Sequence, residues 1–163
     1  MRFNISLLFI SHCLVGTCYA QFNPVDQIPF SQIVKEQATE MAKAFVKGDY
    51  KTFMHYIQPK IVKMAGGQDE MMRRLNKMTR EMAIQGMTFN GITFGKVSKI
   101  VRNGNQLQGT VPQHTGIKLL DGRVVSTTML IAVSNDGGRN WTFIDTSNTD
   151  VAKLKEILPN LGD

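Results

Sequence analysis

Apolar side chains recur at helical spacing through the first half of the chain. Between residues 30 and 47 they fall on a single stripe, with lysines and glutamates opposite, and the stripe comprises Phe30, Val34, Ala38, Met41 and Phe45. This pattern predicts an amphipathic helix that buries one face. Similar spacing predicts two short helices over 50–57 and 59–64 and a longer one over 69–84, which carries a methionine-rich stripe.

Residues that favour helix ends stand at the borders of these segments. Ser31 is predicted as the N-cap of the first helix, with Gly48 as its stop, and Asp49 as the N-cap of the second. Pro59 suits the first turn of the third helix. Asp150 predicts one more cap, for a short closing helix over 151–158.

From about residue 87 the spacing changes to that of strands. We predict a strand over 88–102 with a bend near Gly95, a hairpin turn at Asn103-Gly104, a return strand over 107–111, a loop over 113–116 and a strand over 117–120. Asp121-Gly122 then turns the chain into its longest β-type run.

That run, 124–133, is rich in branched side chains and shows no strongly polar face. It predicts a central strand that is covered on both sides. Asn135-Asp136-Gly137-Gly138 tolerates positive φ and connects it to a short strand over 141–145. Helices followed by an antiparallel meander predict an α+β fold in which the sheet buries one face against the helices.

The turn of this hairpin resembles the Asp-box of sialidase-like propellers. Ser134, Asp136, Gly138 and Trp141 match its S-x-D-x-G-x-x-W spacing. The resemblance implies a structural role, in which the carboxylate accepts N–H groups of the turn and the indole packs across the hairpin base. One copy cannot build a propeller, because a propeller needs several repeats.

A larger part of the chain resembles the nuclear transport factor 2-like (NTF2-like) superfamily, which includes SnoaL and ketosteroid-isomerase-like proteins. The resemblance lies in the segment from Phe45 through Gly48-Asp49-Tyr50 to Pro59, followed by the strands through Trp141-Thr142-Phe143. It implies a cone of helices laid into a curved antiparallel sheet. Because the superfamily contains both enzymes and proteins without known activity, the resemblance constrains fold more than function.

The first twenty residues have the features of a secretory signal peptide. Arg2 precedes an apolar run, and Cys18-Tyr19-Ala20 places small residues at the cleavage site. We therefore expect a signal peptide over 1–20, one domain over 21–163, and a secreted or periplasmic protein. A lipid anchor at Cys18 is the less favoured alternative, because the residues before it fit a lipobox poorly.

Composition argues against several partners and cofactors. The net charge of +6 is spread along the chain, and export makes nucleic acid an unsuitable partner. No later segment has the ~20 apolar residues of a membrane helix.

His55 and His114 are isolated and both cysteines precede the domain, so we expect neither a metal site nor a cofactor. Three methionines could ligate Cu(I), but their spacing is also that of core packing: Met71, Met78 and Met82.

Three functions are open to such a domain. The first is binding of a small apolar or amphipathic ligand, with Tyr56, Met129, Phe143 and Asp145 as candidate contacts. The second is a cofactor-free isomerase or dehydratase, with Asp145 as the carboxylate and either the Tyr56 hydroxyl or a histidine as its partner. The third is a structural module that forms a homodimer through its sheet.

Overall fold

Helices come first in the chain, then strands, then one short helix. The computed structural model describes residues 29–147 and 149–161, so the predicted signal peptide and Cys18 lie outside the described residues. The helices are α1 Phe30–Val46, α2 Tyr50–His55, α3 Pro59–Met64, α4 Gln68–Ile84 and α5 Val151–Ile157. The strands are β1 Thr88–Phe94, β2 Val101–Asn103, β3 Gln106–Leu119, β4 Gly122–Ser134 and β5 Thr142–Asp145.

Most of the predicted helix ends are confirmed. The Asp49 carboxylate accepts the N–H of Thr52 at 3.1 Å at the start of α2, and the Asp150 carboxylate accepts the N–H of Lys153 at 2.7 Å at the start of α5. Pro59 begins α3, as predicted. The prediction for Ser31 is wrong: the N-cap of α1 is Pro29, two residues earlier, and its carbonyl accepts the N–H of Gln32.

The strands form one antiparallel sheet in the order β1-β3-β4-β5, and β2 pairs with the far end of β3. The architecture is therefore α+β, with the N-terminal helices packed on a curved antiparallel sheet, as predicted. Within the described residues, no helix is both long and apolar enough to cross a membrane.

The predicted loop over 113–116 is wrong, because β3 continues unbroken through it. Pro112 lies inside this strand, where a missing N–H would normally interrupt a ladder. Its carbonyl accepts the N–H of Gly95 at 2.9 Å, so Pro112 faces the bend that follows β1. Because the N–H and C=O of one extended residue point to the same neighbour, the missing donor falls at this bend and not opposite β4.

Successive residues of β4 face two different cores. Leu130 and Ala132 pack with α1 on the helix side of the sheet, whereas Ile131 and Val133 pack with α5 on the back. The prediction of a strand covered on both sides therefore holds for the second half of β4. It is wrong for the first half, where Val124 and Val125 are 48% and 52% exposed.

The hairpin after β4 is held by a dense set of hydrogen bonds. The Asp136 carboxylate accepts the N–H groups of Arg139 at 3.2 Å and Asn140 at 3.0 Å, and the Ser134 hydroxyl accepts the N–H of Gly138 at 2.9 Å. The backbone N–H of Asn140 is the main reason that the pKa of Asp136 is lowered to about 2. These are the contacts that the S-x-D-x-G-x-x-W spacing predicted.

This hairpin is also fastened to α1. The Trp141 indole is buried, donates to the Gly138 carbonyl at 2.9 Å, and meets the ring of Phe30 edge-on at a centroid distance of 6.3 Å. The Gln37 side chain accepts the N–H of Trp141 at 2.8 Å and donates to the Arg139 carbonyl at 2.7 Å. The hairpin thus fixes the first helix on one end of the sheet.

Candidate functional site

A cavity of about 290 Å³ lies between the helices and the other end of the sheet. Its roof is apolar and comes from α1, α2 and α4, through Met41, Phe45, Phe53 and Met78. The ring of Phe45 packs against Phe53 at 5.2 Å and against Phe89 of β1 at 4.8 Å. The roof therefore offers dispersion contacts and no charged group.

The floor of this cavity carries polar side chains from two paired strands. Gln113 pairs with Thr128 and Thr115 pairs with Ser126 across β3 and β4, which places all four on the helix side of the sheet. The Gln113 amide donates to the Thr115 hydroxyl at a long 3.4 Å. The floor thus presents hydroxyl and amide groups opposite an apolar roof.

Thr128 has an unusual place in this floor. Its hydroxyl oxygen is buried and, among the described residues, has no hydrogen-bond partner. A buried polar atom without a partner costs about 1–3 kcal/mol of stability. A ligand with a hydroxyl, carbonyl or amide group at this point would satisfy the orphaned oxygen.

A second cavity, of about 450 Å³, adjoins the first beside the outer edge of β5, where Ile57 forms a bridge with Phe143. Four residues line both cavities: Phe53, Ile57, Phe143 and Asp145. The second cavity also receives the half-buried side chains of Met71 and Leu75 from α4, and two cationic side chains, Arg74 of α4 and Lys153 of α5. It therefore carries more charged side chains than the first cavity.

Asp145 is the carboxylate predicted from the sequence, and it lines both cavities. The residue is exposed, and its Oδ1 accepts the N–H of Ser147 at 2.8 Å in the turn that leaves β5. Phe143 precedes it on the same face and is 1% exposed. Asp145 thus combines a position at the junction of the cavities with a role in the turn.

The structure separates the other two predicted contacts from the cavities. The Tyr56 carbonyl accepts the N–H of Phe143 at 2.7 Å, while its side chain packs on the core and lines neither cavity. Met129 precedes Leu130 in β4 and therefore lies on the back of the sheet, 40% exposed. Asp145 and Tyr56 are not joined by a hydrogen bond between their side chains in the described part of the chain.

The described histidines, His55 and His114, lie on different elements, α2 and β3. In the part of the chain that the structure describes, no three His, Cys, Asp or Glu side chains come close enough to hold a metal ion. The His114 Nδ1 lies 2.9 Å from the Thr127 hydroxyl on the back of the sheet. Met71 and Met78 line different cavities, which fits apolar packing around a pocket.

Sequence reasoning missed the polar floor and the two cations. Gln113 and Thr115 lay in the segment interpreted as a loop, and Thr128 lay in a strand interpreted as covered on both sides. One signal was available: if the strand is extended through Pro112, Gln113 and Thr115 fall on the face of Val111. Arg74 and Lys153 are far apart in sequence and line the second cavity together only because α4 and α5 both border it.

Comparison of the sequence with protein-family models and with curated proteins gives no match. Comparison of the fold with solved structures finds a protein from Catenulispora acidiphila. The match has a TM-score of 0.52 at 14% identity and covers 72% of this chain and 92% of that one. At this identity the likeness concerns the fold alone.

Proposed function

We propose that this chain is an exported domain of the NTF2-like superfamily that binds a small amphipathic ligand and catalyses no reaction. The motif around Gly48-Asp49-Tyr50 and the α+β architecture support the superfamily. The apolar run before Ala20 supports export. The cavity under the helices supports binding, because a small-molecule site is typically concave, apolar and equipped with few polar groups.

The unpaired hydroxyl of Thr128 is the observation that carries the proposal. An apolar cavity alone is compatible with imperfect packing, but a buried oxygen without a partner favours a state in which something else supplies the hydrogen bond. Gln113 and Ser126 beside it extend the polar strip along which a ligand would be oriented.

An isomerase or dehydratase is the second candidate. It is favoured by the Asp145 carboxylate, which lines the same cavity as Thr128 and Gln113. Two observations weaken it: one oxygen of this carboxylate is engaged by the N–H of Ser147, and Tyr56 is not its partner. A homodimer is a third candidate, supported by the exposed side chains of Val125 and Met129 on the back of the sheet.

Native mass spectrometry of the protein purified from the organism that makes it tests the proposal. A small molecule that is present in the native spectrum and lost on denaturation is the expected result. A bare monomer in repeated preparations, with no ligand, would contradict it. A bare dimer would favour the structural module in its place.

A matched pair of substitutions links the ligand to the cavity. Thr128→Val removes the unpaired hydroxyl, so we expect it to raise the stability of the ligand-free protein by ~1 kcal/mol and to reduce the bound fraction. Thr127→Val is the control, since its hydroxyl meets His114 on the opposite face. Equal effects of the two variants on the bound fraction would contradict a site at Thr128.

A further inference from the structure

The two cavities are not independent, because they meet along a shared wall. Phe53, Ile57, Phe143 and Asp145 contribute to both. Helix α4 also borders both, with Met78 at the first cavity and Leu75 at the second. Both cavities therefore lie against the same helix and the same four side chains.

The charged side chains are distributed unequally between these spaces. The first cavity is lined by no cation, and Asp145 is its one charged residue among those described. The second is lined by Arg74 and Lys153, together with Asp145 at the shared wall. Arg74 is hydrogen-bonded to Glu70 at 2.9 Å, whereas Lys153 makes no ion pair within 4.0 Å in the described residues. The outer side of the second cavity is thus the positively charged end of the two adjoining cavities.

We infer that the two cavities form one elongated site for an acyl-chain amphiphile with an anionic head group. The chain occupies the apolar first cavity and passes the shared wall, and the head group lies between Arg74 and Lys153. The inference rests on the proposed binding function and adds the ligand class to it.

The side chains of the shared wall favour a ligand with an alkyl chain over a ligand with a ring system. Two of its four side chains are phenylalanines, and Phe143 is fully packed, at 1% exposure. A ligand that spans both cavities must be narrow where it passes these rings. An unbranched chain meets that requirement, and a fused ring does not.

The covering helix is suited to admit such a ligand. Within α4 no residue is fully buried, although Met71, Leu75 and Met78 line the cavities. The helix is bounded by Gly67 and Gly86, which have φ of 93° and 73°, values that other residues rarely adopt. A segment with little buried surface opens at low cost in free energy.

Calorimetric titration with dodecanoate and with 1-dodecanol tests the inference. The two probes share the chain and differ in charge. We expect dodecanoate to bind the wild-type protein more tightly, and Arg74→Gln or Lys153→Gln to weaken it by about threefold to tenfold each, the range of an exposed to partly desolvated charge contact. Binding of 1-dodecanol should change less than twofold in either variant.

Neighbouring residues supply matched controls. Arg73 shares Glu70 with Arg74 but lines neither cavity, and Lys155 is exposed on α5 outside both. Arg73→Gln and Lys155→Gln remove the same charge from the same helices. They should leave the ratio of the two affinities unchanged.

Asp145→Asn should strengthen dodecanoate binding, whereas Arg74→Gln and Lys153→Gln should weaken it. The amide keeps an oxygen for the N–H of Ser147, while the negative charge at the shared wall is lost. We expect this variant to bind dodecanoate about twofold to fivefold more tightly, because a like charge near the head group has been removed.

The possible outcomes separate this inference from the proposed function. Recognition of an anionic head group is overturned if 1-dodecanol binds as tightly as dodecanoate. It is also overturned if Arg73→Gln weakens dodecanoate binding as much as Arg74→Gln does. In both cases the proposed binding of an apolar ligand remains supported. If neither probe binds, the acyl-chain class is overturned. The native mass spectrum then decides separately whether another ligand occupies the site.

Discussion

The two ends of strand β4 differ in packing. Its last residues lead into the hairpin, where Ser134 and Trp141 are buried at 1% exposure and Asp136 holds the turn through several N–H groups. Its first residues lie beside the cavity, where Ser126 is exposed and the hydroxyl of Thr128 has no hydrogen-bond partner in the part of the chain that the structure describes. One strand thus joins a hairpin that is held by many hydrogen bonds to a cavity floor in which one buried hydroxyl is unpaired among the described residues.

The residues that stabilise the fold therefore lie mainly at the hairpin end of β4, and the candidate site lies at its other end. The hairpin fixes α1, and α1 carries the fully buried Val34 and Ala38 against the sheet. The cavity can therefore keep an open volume and an unpaired oxygen, whose cost is offset by packing elsewhere in the fold. The same division is expected of a binding protein whose scaffold holds a site in shape.

The largest effect is expected from the indole of the hairpin. Trp141→Ala should lower the free energy of unfolding by about 3–5 kcal/mol, because a fully packed ring and its hydrogen bond to Gly138 are both lost. Met78→Ala at the cavity should cost about 1 kcal/mol or less, since Met78 is 37% exposed. Denaturant unfolding of both variants measures the contrast. Similar losses of unfolding free energy in the two variants would contradict the difference in packing between the two ends of β4.

Two adjacent glycines sharpen the account of how the hairpin meets α1. Gly138→Ala places a methyl group 2.3 Å from the ring of Phe30 at a φ of 94°, so we expect a loss of about 2–3 kcal/mol. Gly137→Ala is the control, because its φ is 78° but the space around it is open. It should lose about 1–2 kcal/mol from backbone strain alone. Equal losses in unfolding experiments would show that Phe30 moves aside without cost.

A smaller, pH-dependent effect is expected from Asp136. Its folded pKa of about 2 lies below the ordinary 3.8, so its carboxylate stabilises the fold fully above about pH 4 and loses this contribution as the pH falls towards 2. Asp136→Ala should be less stable than wild type by ~1 kcal/mol at pH 7, since the group is exposed and screened. The difference in stability between the two proteins should shrink as the pH falls below 4 and should vanish only near or below pH 2. A constant difference would contradict the role of the ionised carboxylate.

The sequence predicted those features that depend on local pattern. The stripe from Val34 to Met41 predicted α1, the residue types of Asp49 and Asp150 predicted two caps, and four spaced residues predicted the hydrogen bonds around Asp136. Each of these structures is determined by residues within a few positions of one another, so the information is present in a short window.

The candidate site could not be predicted in the same way, because pairing register and long-range packing determine it. Thr128 lies beside Gln113 on the cavity floor only because β3 and β4 pair in this register, and this pairing requires β3 to continue through Pro112. Pro112 is tolerated because Gly95 bends the neighbouring segment. Lys153 and Arg74 line one cavity because the tertiary fold brings α5 and α4 to the same space, which no local pattern encodes.

Amide hydrogen exchange with and without dodecanoate tests the central claim most directly. In the free protein we expect α4 to exchange much faster than α1, because α4 contains no fully buried residue. Addition of ligand should slow exchange in α4 and in the strands around Gln113 and Thr128, and should leave the hairpin from Ser134 to Trp141 unchanged. Slowing centred on that hairpin, or α4 amides as protected as those of α1 in the free protein, would contradict the account.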